Sequence, residues 1–160
     1  MKNILIADDH FLVRDTIAAY LGALDDFKVF TAQDLITAFE VMNGLESIDL
    51  LILDYSMPGM DGLQGLEKAC KLYPACKVAL ISGVANRDVA NEAMKRNARG
   101  FIPKSLTATS FTNAVRFILS GERYFPFDYG TNTLEEKKDG FFAEVTEREM
   151  QTLEQLCIGL

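Results

Sequence analysis

The sequence predicts a doubly wound α/β fold built on a five-stranded parallel sheet. Two observations support this fold class. Five short aliphatic runs are spaced along residues 1–121, and each is followed by a segment in which apolar residues recur at helical spacing. Because crossovers between parallel strands are right-handed, the flavodoxin-like strand order is the leading topology, with helices on both faces of the sheet.

The first two β-α units are short and regular. The first strand is predicted at residues 3–7 and stops on the acid pair Asp8-Asp9. Apolar residues then recur at helical spacing through residues 13–24, which predicts a helix with one apolar face. The second strand is predicted at residues 28–32, and Gly44 is expected to close the helix after it.

The third strand, residues 49–53, is followed directly by Asp54. A run of four aliphatic residues in this strand is typical of a strand buried on both faces. The Pro and Gly residues of segment 57–62 predict a loop before the next helix, which Pro74 ends.

The last two units complete the predicted sheet. Strand four, residues 77–81, stops on Ser82-Gly83, and the next helix is indicated by Val89, Ala93, Met94 and Asn97. Strand five, residues 100–102, ends at Pro103-Lys104, and its helix ends before Gly121.

Composition fits a globular protein of the cytoplasm. Hydrophobic residues make up 49% of the chain and charged residues 24%. The longest aliphatic stretches are shorter than the ~20 residues of a membrane span, and we expect no signal peptide. The three cysteines, Cys70, Cys76 and Cys157, have no CxxC spacing, so they are predicted to be small buried thiols and not a disulfide framework or zinc site.

Most of the negative charge lies near the C-terminus. Residues 1–120 hold 12 Lys/Arg and 14 Asp/Glu, whereas residues 121–160 hold 4 and 9, so the second segment carries −5 of the net −7. An acidic surface repels phosphate backbones, and the chain has no electrostatic footprint for nucleic acid.

Residues 1–121 are therefore predicted as one domain, followed by a linker at residues 122–143. Pro and Gly residues interrupt the linker, and its aromatic residues predict that its first part docks on the domain: Tyr124, Phe125, Phe127 and Tyr129. Residues 144–160 are predicted to contain a final helix, which the capping box Thr146-x-x-Glu149 opens.

Polar residues end four of the five predicted strands: Asp8 and Asp9 the first, Asp54 the third, Ser82 the fourth and Lys104 the fifth. These ends lie at the same edge of a parallel sheet, where carboxylates that converge usually hold a hard cation, and Mg²⁺ fits. A lysine and a hydroxyl group can bind phosphoryl oxygens, and an aspartate can accept the phosphoryl group itself. The pattern predicts a phosphoacceptor site.

Each member alone has a simpler explanation. The pair Asp8-Asp9 can be ordinary acids at a helix N-terminus, Ser82 a turn hydroxyl and Lys104 a surface charge. The agreement of four separate strand ends favours a site. We interpret His10, which has no second His or Cys near it in sequence, as a helix-start residue and not as a metal ligand.

These motifs resemble the receiver domain of bacterial two-component response regulators. The resemblance covers residues 2 to about 121 and rests on four motifs: Asp8-Asp9-His10, Asp54 with Met57-Pro58-Gly59-Met60-Asp61-Gly62, Ser82-Gly83, and Gly100-Phe101-Ile102-Pro103-Lys104-Ser105. It implies a switch that a sensor histidine kinase phosphorylates.

The resemblance also implies a role for each site residue. Asp54 is the expected phosphorylation site. Asp9, Asp54 and the main-chain carbonyl of Ser56 are expected to hold Mg²⁺, with Asp8 supporting the ion through water. Lys104 is expected to pair with the phosphoryl group and Ser82 to hydrogen-bond it. Phe101 stands where the family has an aromatic residue that rotates on activation, although it can equally be plain core.

A second resemblance covers part of residues 144–160. Val145-Thr146-Glu147-Arg148-Glu149-Met150, with Leu153, Leu156 and Gly159, is similar to the opening of a LuxR-type helix-turn-helix, which suggests the NarL/FixJ type of regulator. The helix that would read DNA is absent from these 160 residues. We therefore expect the full-length relative to regulate transcription and this chain not to bind DNA specifically. A phosphorylation-dependent homodimer stays open.

Two features depart from the common receiver pattern, and two other functions are disfavoured. Many receivers have Thr where Ser82 stands and Pro where Ser105 stands.

A phosphatase of the haloacid dehalogenase type needs a second Asp two residues after the nucleophile, and that position is Ser56. A flavodoxin-like cofactor site is disfavoured because the acids at 8–9 repel phosphate. We expect a switch and not a turnover enzyme.

Overall fold

The computed structural model describes residues 1–83 and 86–125. Its strands are β1 (Lys2–Ala7), β2 (Phe27–Ala32), β3 (Leu50–Asp54), β4 (Lys77–Ser82) and β5 (Gly100–Pro103). Its helices are α1 (Phe11–Gly22), α2 (Leu35–Gly44), α3 (Gln64–Leu72), α4 (Arg87–Lys95) and α5 (Ala108–Leu119). The predicted strand positions are confirmed to within one residue at each end.

The five strands form one parallel sheet in the order β2-β1-β3-β4-β5, so the flavodoxin-like topology is confirmed. Strand β3 is central, between β1 and β4, with Ala7 opposite Leu53 and Ile81 opposite Asp54. The order places the carboxyl ends of β1 and β3 side by side, and the chain segments that follow these two strands begin there.

Alternate residues of the strands feed two separate hydrophobic cores. One core contains residues of α1 and α5, packed on the face that includes Ile6 and Ile52. The other contains residues of α2, α3 and α4, packed on the face that includes Leu5 and Leu53. Every residue of β3 is buried, which explains why its sequence is continuously apolar and does not alternate.

The loop between β3 and α3 is held by glycine geometry. Gly59 and Gly62 have φ values of +94° and +70°, in the left-handed region that favours glycine. A Cβ on Gly59 would lie 2.9 Å from Leu35 Cβ. The N–H of Leu35 donates to the carbonyl of Pro58 at 3.3 Å, so this loop is fixed to the start of α2.

Two sequence predictions need correction in detail. Asn97 was expected within the helix after β4, but α4 ends at Lys95 and Asn97 takes φ +74° beyond it. Left-handed backbone suits Asn better than most side chains, so the residue closes the helix and does not extend it. Cys70 and Cys76 are free thiols as expected, but they are half-buried and not fully buried.

The first aromatic residues after α5 dock on the sheet, as predicted. The carbonyl of Tyr124 accepts from the N–H of Phe101 at 2.9 Å, and the N–H of Tyr124 donates to the backbone carbonyl of Arg99. Phe125 is 2% exposed and belongs to the core. Phe127, Tyr129, Cys157 and the expected final helix lie outside the described residues. The domain limits at 1–121, 122–143 and 144–160 stay predictions.

Within the part of the chain that the structure describes, no helix combines the length and apolar character needed to cross a membrane.

Candidate functional site

The ends of β1 and β3 bring three carboxylates together. Asp8 and Asp9 follow β1 directly, and Asp54 is the last residue of β3. Asp8 is fully buried, Asp54 is 1% exposed, and the side chain of Asp9 is 37% exposed. One ligand atom from each, together with one from His10, lies within 4.8 Å of all the others. We call these four residues the acid pocket.

Lys104 closes the acid pocket from the end of β5. Its Nζ lies 3.0 Å from Asp8 Oδ2 and 3.5 Å from Asp54 Oδ2. Its backbone N–H donates to the carbonyl of Ser82 at 2.8 Å, which fixes the residue beside the end of β4. The alkyl stem runs past Gly83, where an added Cβ would lie 3.8 Å from Lys104 Cδ. The ammonium group therefore faces both buried acids.

Burial and mutual repulsion make the pKa values of the two buried carboxylates differ. Burial first, and then Asp8, raise the pKa of Asp54 to about 6, although the charge of Lys104 opposes the rise. Burial also acts to raise the pKa of Asp8, but the backbone N–H of His10, the side chain of Asp54 and Lys104 together lower it. Asp8 is therefore the more strongly ionised partner, and Asp54 takes up a proton first.

Two carboxylate oxygens in the pocket are left without a hydrogen bond. Oδ2 of Asp8 and Oδ2 of Asp54 are buried and accept none from the described residues. The Lys104 ammonium lies 3.0 Å and 3.5 Å from these two atoms and forms an ion pair with each carboxylate. Buried oxygens of this kind and a set of carboxylate ligands suit a hard divalent cation. The acid pocket could bind such a metal.

The other predicted site residues occupy different surroundings. Ser82 is the last residue of β4 and is 4% exposed. The N–H of Ser56 donates to Asp54 Oδ1 at 3.4 Å, so the loop wraps the carboxylate. Phe101 lies outside the acid pocket: it is 1% exposed and belongs to the core beneath α2, α3 and α4. The roles expected for these three residues stay predictions.

His10 contributes its side chain to the acid pocket, although the sequence predicted it only as a helix-start residue and not as a metal ligand. His10 does begin α1 as its N-cap, but its side chain makes no capping hydrogen bond. Its Nδ1 lies 3.0 Å from Asp8 Oδ1, 3.2 Å from Asp9 Oδ1 and 3.6 Å from Asp54 Oδ2. The available signal was its position directly after the acid pair, which places it at the same sheet edge.

Comparison with known families identifies the domain. The response regulator receiver domain family matches residues 4–116, which is more than half of the chain. The chain therefore belongs to the response regulator receiver domain family, whose members act in two-component signalling.

Several curated proteins are similar over much of the chain. The glycerol metabolism activator of Pseudomonas putida is 36% identical over 129 residues, which are 80% of this chain and 58% of that protein. The fimbriae Z protein of Salmonella typhimurium is 29% identical, with 99% of this chain and 77% of that protein covered. The response regulator UvrY of Escherichia coli is 26% identical, with 99% and 75% covered. The chain thus spans from 58% to 77% of the length of these relatives.

Solved structures agree with the fold and the family. A LuxR family DNA-binding response regulator from Silicibacter pomeroyi superimposes with a TM-score of 0.68 at 32% identity, covering 78% of this chain and 96% of that one. A response regulator receiver domain protein from Clostridium thermocellum superimposes with a TM-score of 0.68 at 27% identity, covering 76% and 96%. The five-stranded receiver architecture is thus shared with both.

Proposed function

We propose that Asp54 accepts a phosphoryl group from a sensor histidine kinase in a Mg²⁺-dependent reaction, and that the phosphorylated domain controls an output. The observation that carries this proposal is the setting of Asp54. Its carboxylate ends the central strand, has one oxygen without a hydrogen bond, and lies 3.5 Å from the Lys104 ammonium. A buried nucleophile beside a fixed cation suits phosphoryl transfer.

The transfer needs the ionised form of Asp54. A pKa of about 6 leaves the carboxylate mostly ionised near neutral pH. One of its oxygens attacks phosphorus, and the bond from phosphorus to the donor atom breaks, with its electron pair leaving on the donor. The product is an acyl phosphate. Asp9, Asp54 and the Ser56 carbonyl would hold Mg²⁺, with Asp8 acting through water; the bound ion supplies positive charge for the phosphoryl oxygens.

Phosphorylation would then rearrange the pocket. The group adds a charge of about −1.5 to −2 and strong acceptor oxygens. Lys104, now shared between Asp8 and Asp54, would pair with it, and the hydroxyl of Ser82 would donate to it. The inward or outward state of the Phe101 ring would then report the switch.

The relatives suggest what the switch controls. They include a protein named as an activator and a LuxR family DNA-binding response regulator. By analogy, we propose that the output of this protein is regulation of transcription in the cytoplasm, through DNA binding by its full-length form. The acidic charge balance of the chain gives no support to DNA binding by the receiver domain itself.

Phosphorylation can be tested with a small donor. The protein is incubated with acetyl phosphate and Mg²⁺ and then weighed intact by mass spectrometry. We expect one phosphoryl adduct that hydroxylamine removes, no adduct on Asp54→Asn, and a normal adduct on Glu46→Gln, which removes one exposed carboxylate. An unlabelled wild-type protein, in conditions that label a control receiver, would contradict the proposal, as would equal labelling of Asp54→Asn.

A further inference from the structure

We propose that His10 is a nitrogen ligand of the divalent cation in the acid pocket, so that the site favours borderline cations such as Co²⁺ or Ni²⁺ over Mg²⁺ more than oxygens alone would. The inference rests on the proposed function only because it places the cation among the same carboxylates. It assigns to His10 a role beyond starting α1.

The distances around Nδ1 suit adjacent ligands of one metal ion. Two ligands at right angles on an octahedral ion, each about 2.1 Å from it, lie roughly 3 Å apart. His10 Nδ1 lies 3.2 Å from the oxygen of Asp9, which fits this spacing, and 3.0 Å from the oxygen of Asp8, which would act on the ion through water. The Asp54 oxygen is farther, at 3.6 Å, and a small side-chain rotation would bring it to ligand spacing.

The unbonded oxygens give a second, independent indication of a cation. Oδ2 of Asp8 and Oδ2 of Asp54 are buried and accept no hydrogen bond within the described ranges 1–83 and 86–125. The imidazole Nδ1 faces these same carboxylates. Nδ1 lies within hydrogen-bond distance of Asp8 Oδ1, at 3.0 Å; in the tautomer that carries its proton on the other ring nitrogen, the Nδ1 lone pair faces these carboxylates and can bind a cation together with them.

The backbone holds His10 in place with its ring nitrogen against the carboxylates of the acid pocket. Its N–H donates to Asp8 Oδ1 at 2.9 Å, and its carbonyl accepts from the N–H of Arg14 at 2.9 Å. The ring makes no capping hydrogen bond, and its side chain is 59% exposed, so a hydrated ion can reach it from solvent. Imidazole nitrogen suits borderline transition metals, whereas Mg²⁺ prefers oxygen ligands.

Because His10 is the only histidine of the chain, any imidazole nitrogen found on a bound metal ion comes from His10. Tag-free protein near pH 7.5, with no phosphodonor, is titrated calorimetrically with Ni²⁺ and with Mg²⁺. We expect His10→Ala to weaken Ni²⁺ binding by a factor of roughly ten or more, because loss of a residue that merely supports a metal ligand can already cost that much affinity. The change in Mg²⁺ binding should be far smaller. Electron spin echo spectroscopy of bound Mn²⁺ should detect imidazole nitrogen in the wild type alone.

A second variant separates ligation from folding. Asn is a favoured N-cap, so His10→Asn keeps the start of α1 while removing the imidazole. We expect it to retain the fold by circular dichroism and Mg²⁺ binding, and to lose both the Ni²⁺ preference and the nitrogen signal. Glu46→Gln controls for non-specific binding to surface acids and should behave as wild type.

The results that would overturn the inference are specific. Equal changes in Ni²⁺ and Mg²⁺ affinity, or no nitrogen signal in the wild type, would rule out ligation by His10. Tighter binding of both ions by His10→Ala would mean that the ring competes with the ion. Normal acetyl phosphate labelling with these results would spare the proposed function, whereas His10-dependent Ni²⁺ binding without labelling of Asp54 would reject the proposed function alone.

Discussion

Replacing Asp54 by Asn should stabilise the metal-free protein, although it removes the proposed phosphorylation site. Asp54 is 1% exposed, and burial together with Asp8 disfavours its charge. Asn has nearly the same shape and no charge. Its amide N–H can donate to the carboxylate of Asp8, so the neutral side chain suits the pocket better than an ionised carboxylate.

The magnitude follows from the pKa. Each unit of displacement corresponds to about 1.4 kcal/mol, so the rise from 3.8 to about 6 corresponds to a destabilisation of roughly 3 kcal/mol when Asp54 is ionised. The interactions that lower the pKa of Asp8 offset part of it. We therefore expect Asp54→Asn to raise the free energy of unfolding by about 1 to 3 kcal/mol near pH 7.5.

The sign of the pH dependence follows from proton binding. Because the folded protein holds the Asp54 proton more tightly than the unfolded chain, this group stabilises the fold fully below the unfolded pKa of 3.8, and the stabilisation is lost as pH rises through about 6. The advantage of the variant should therefore shrink as pH falls from 7.5 towards 5.

Urea denaturation in EDTA, followed by circular dichroism at several pH values, measures this difference. Glu46→Gln is the matched control, because it removes the same charge at an exposed position. Added Mg²⁺ should stabilise the wild type more than Asp54→Asn, since the ion binds only the folded site. A variant that is less stable than wild type at pH 7.5, or whose advantage does not change with pH, would refute the reasoning.

Two further predictions concern the Lys104 ammonium group and the packing of a glycine of α3 against Met60. Lys104→Met keeps the alkyl stem but leaves the two buried carboxylates without a neutralising charge, so we expect the free energy of unfolding, measured by urea denaturation near pH 7.5, to fall by roughly 3 kcal/mol. Combination with Asp54→Asn should recover most of this loss, and additive effects of the two substitutions would contradict the prediction. Gly65→Ala would place a Cβ 2.7 Å from the sulfur of Met60 and should lower the free energy of unfolding by about 1 to 3 kcal/mol. Gly44→Ala, which has open space around it, should raise the free energy of unfolding by up to about 1 kcal/mol. Similar effects of the two substitutions would contradict the prediction.

The fold could be predicted from the sequence because its signals are local. The aliphatic run of residues 50–53 and the helical spacing of apolar residues between runs are each visible within a short window. Parallel strands then place their carboxyl ends at one edge, so the meeting of Asp8, Asp9 and Asp54 followed from topology. The end of α4 was misjudged, because Asn97 matches the helical period although its backbone is left-handed.

The contacts within the pocket could not be predicted in the same way. That Lys104 pairs more closely with Asp8 than with Asp54 depends on ångström differences in side-chain position. The approach of His10 to three carboxylates depends on a rotamer that leaves the helix cap unmade. Sequence spacing places residues at a sheet edge, but it does not determine which way a side chain turns there.

The identity of the phosphorylated residue tests the central claim most directly. Protein treated with acetyl phosphate and Mg²⁺ is reduced with borohydride, which converts an acyl phosphate of aspartate to homoserine, and is then mapped by peptide mass spectrometry. We predict homoserine at position 54 and nowhere else. Homoserine at Asp8 or Asp9, or unmodified Asp54 in protein that carries the phosphoryl adduct, would contradict the account.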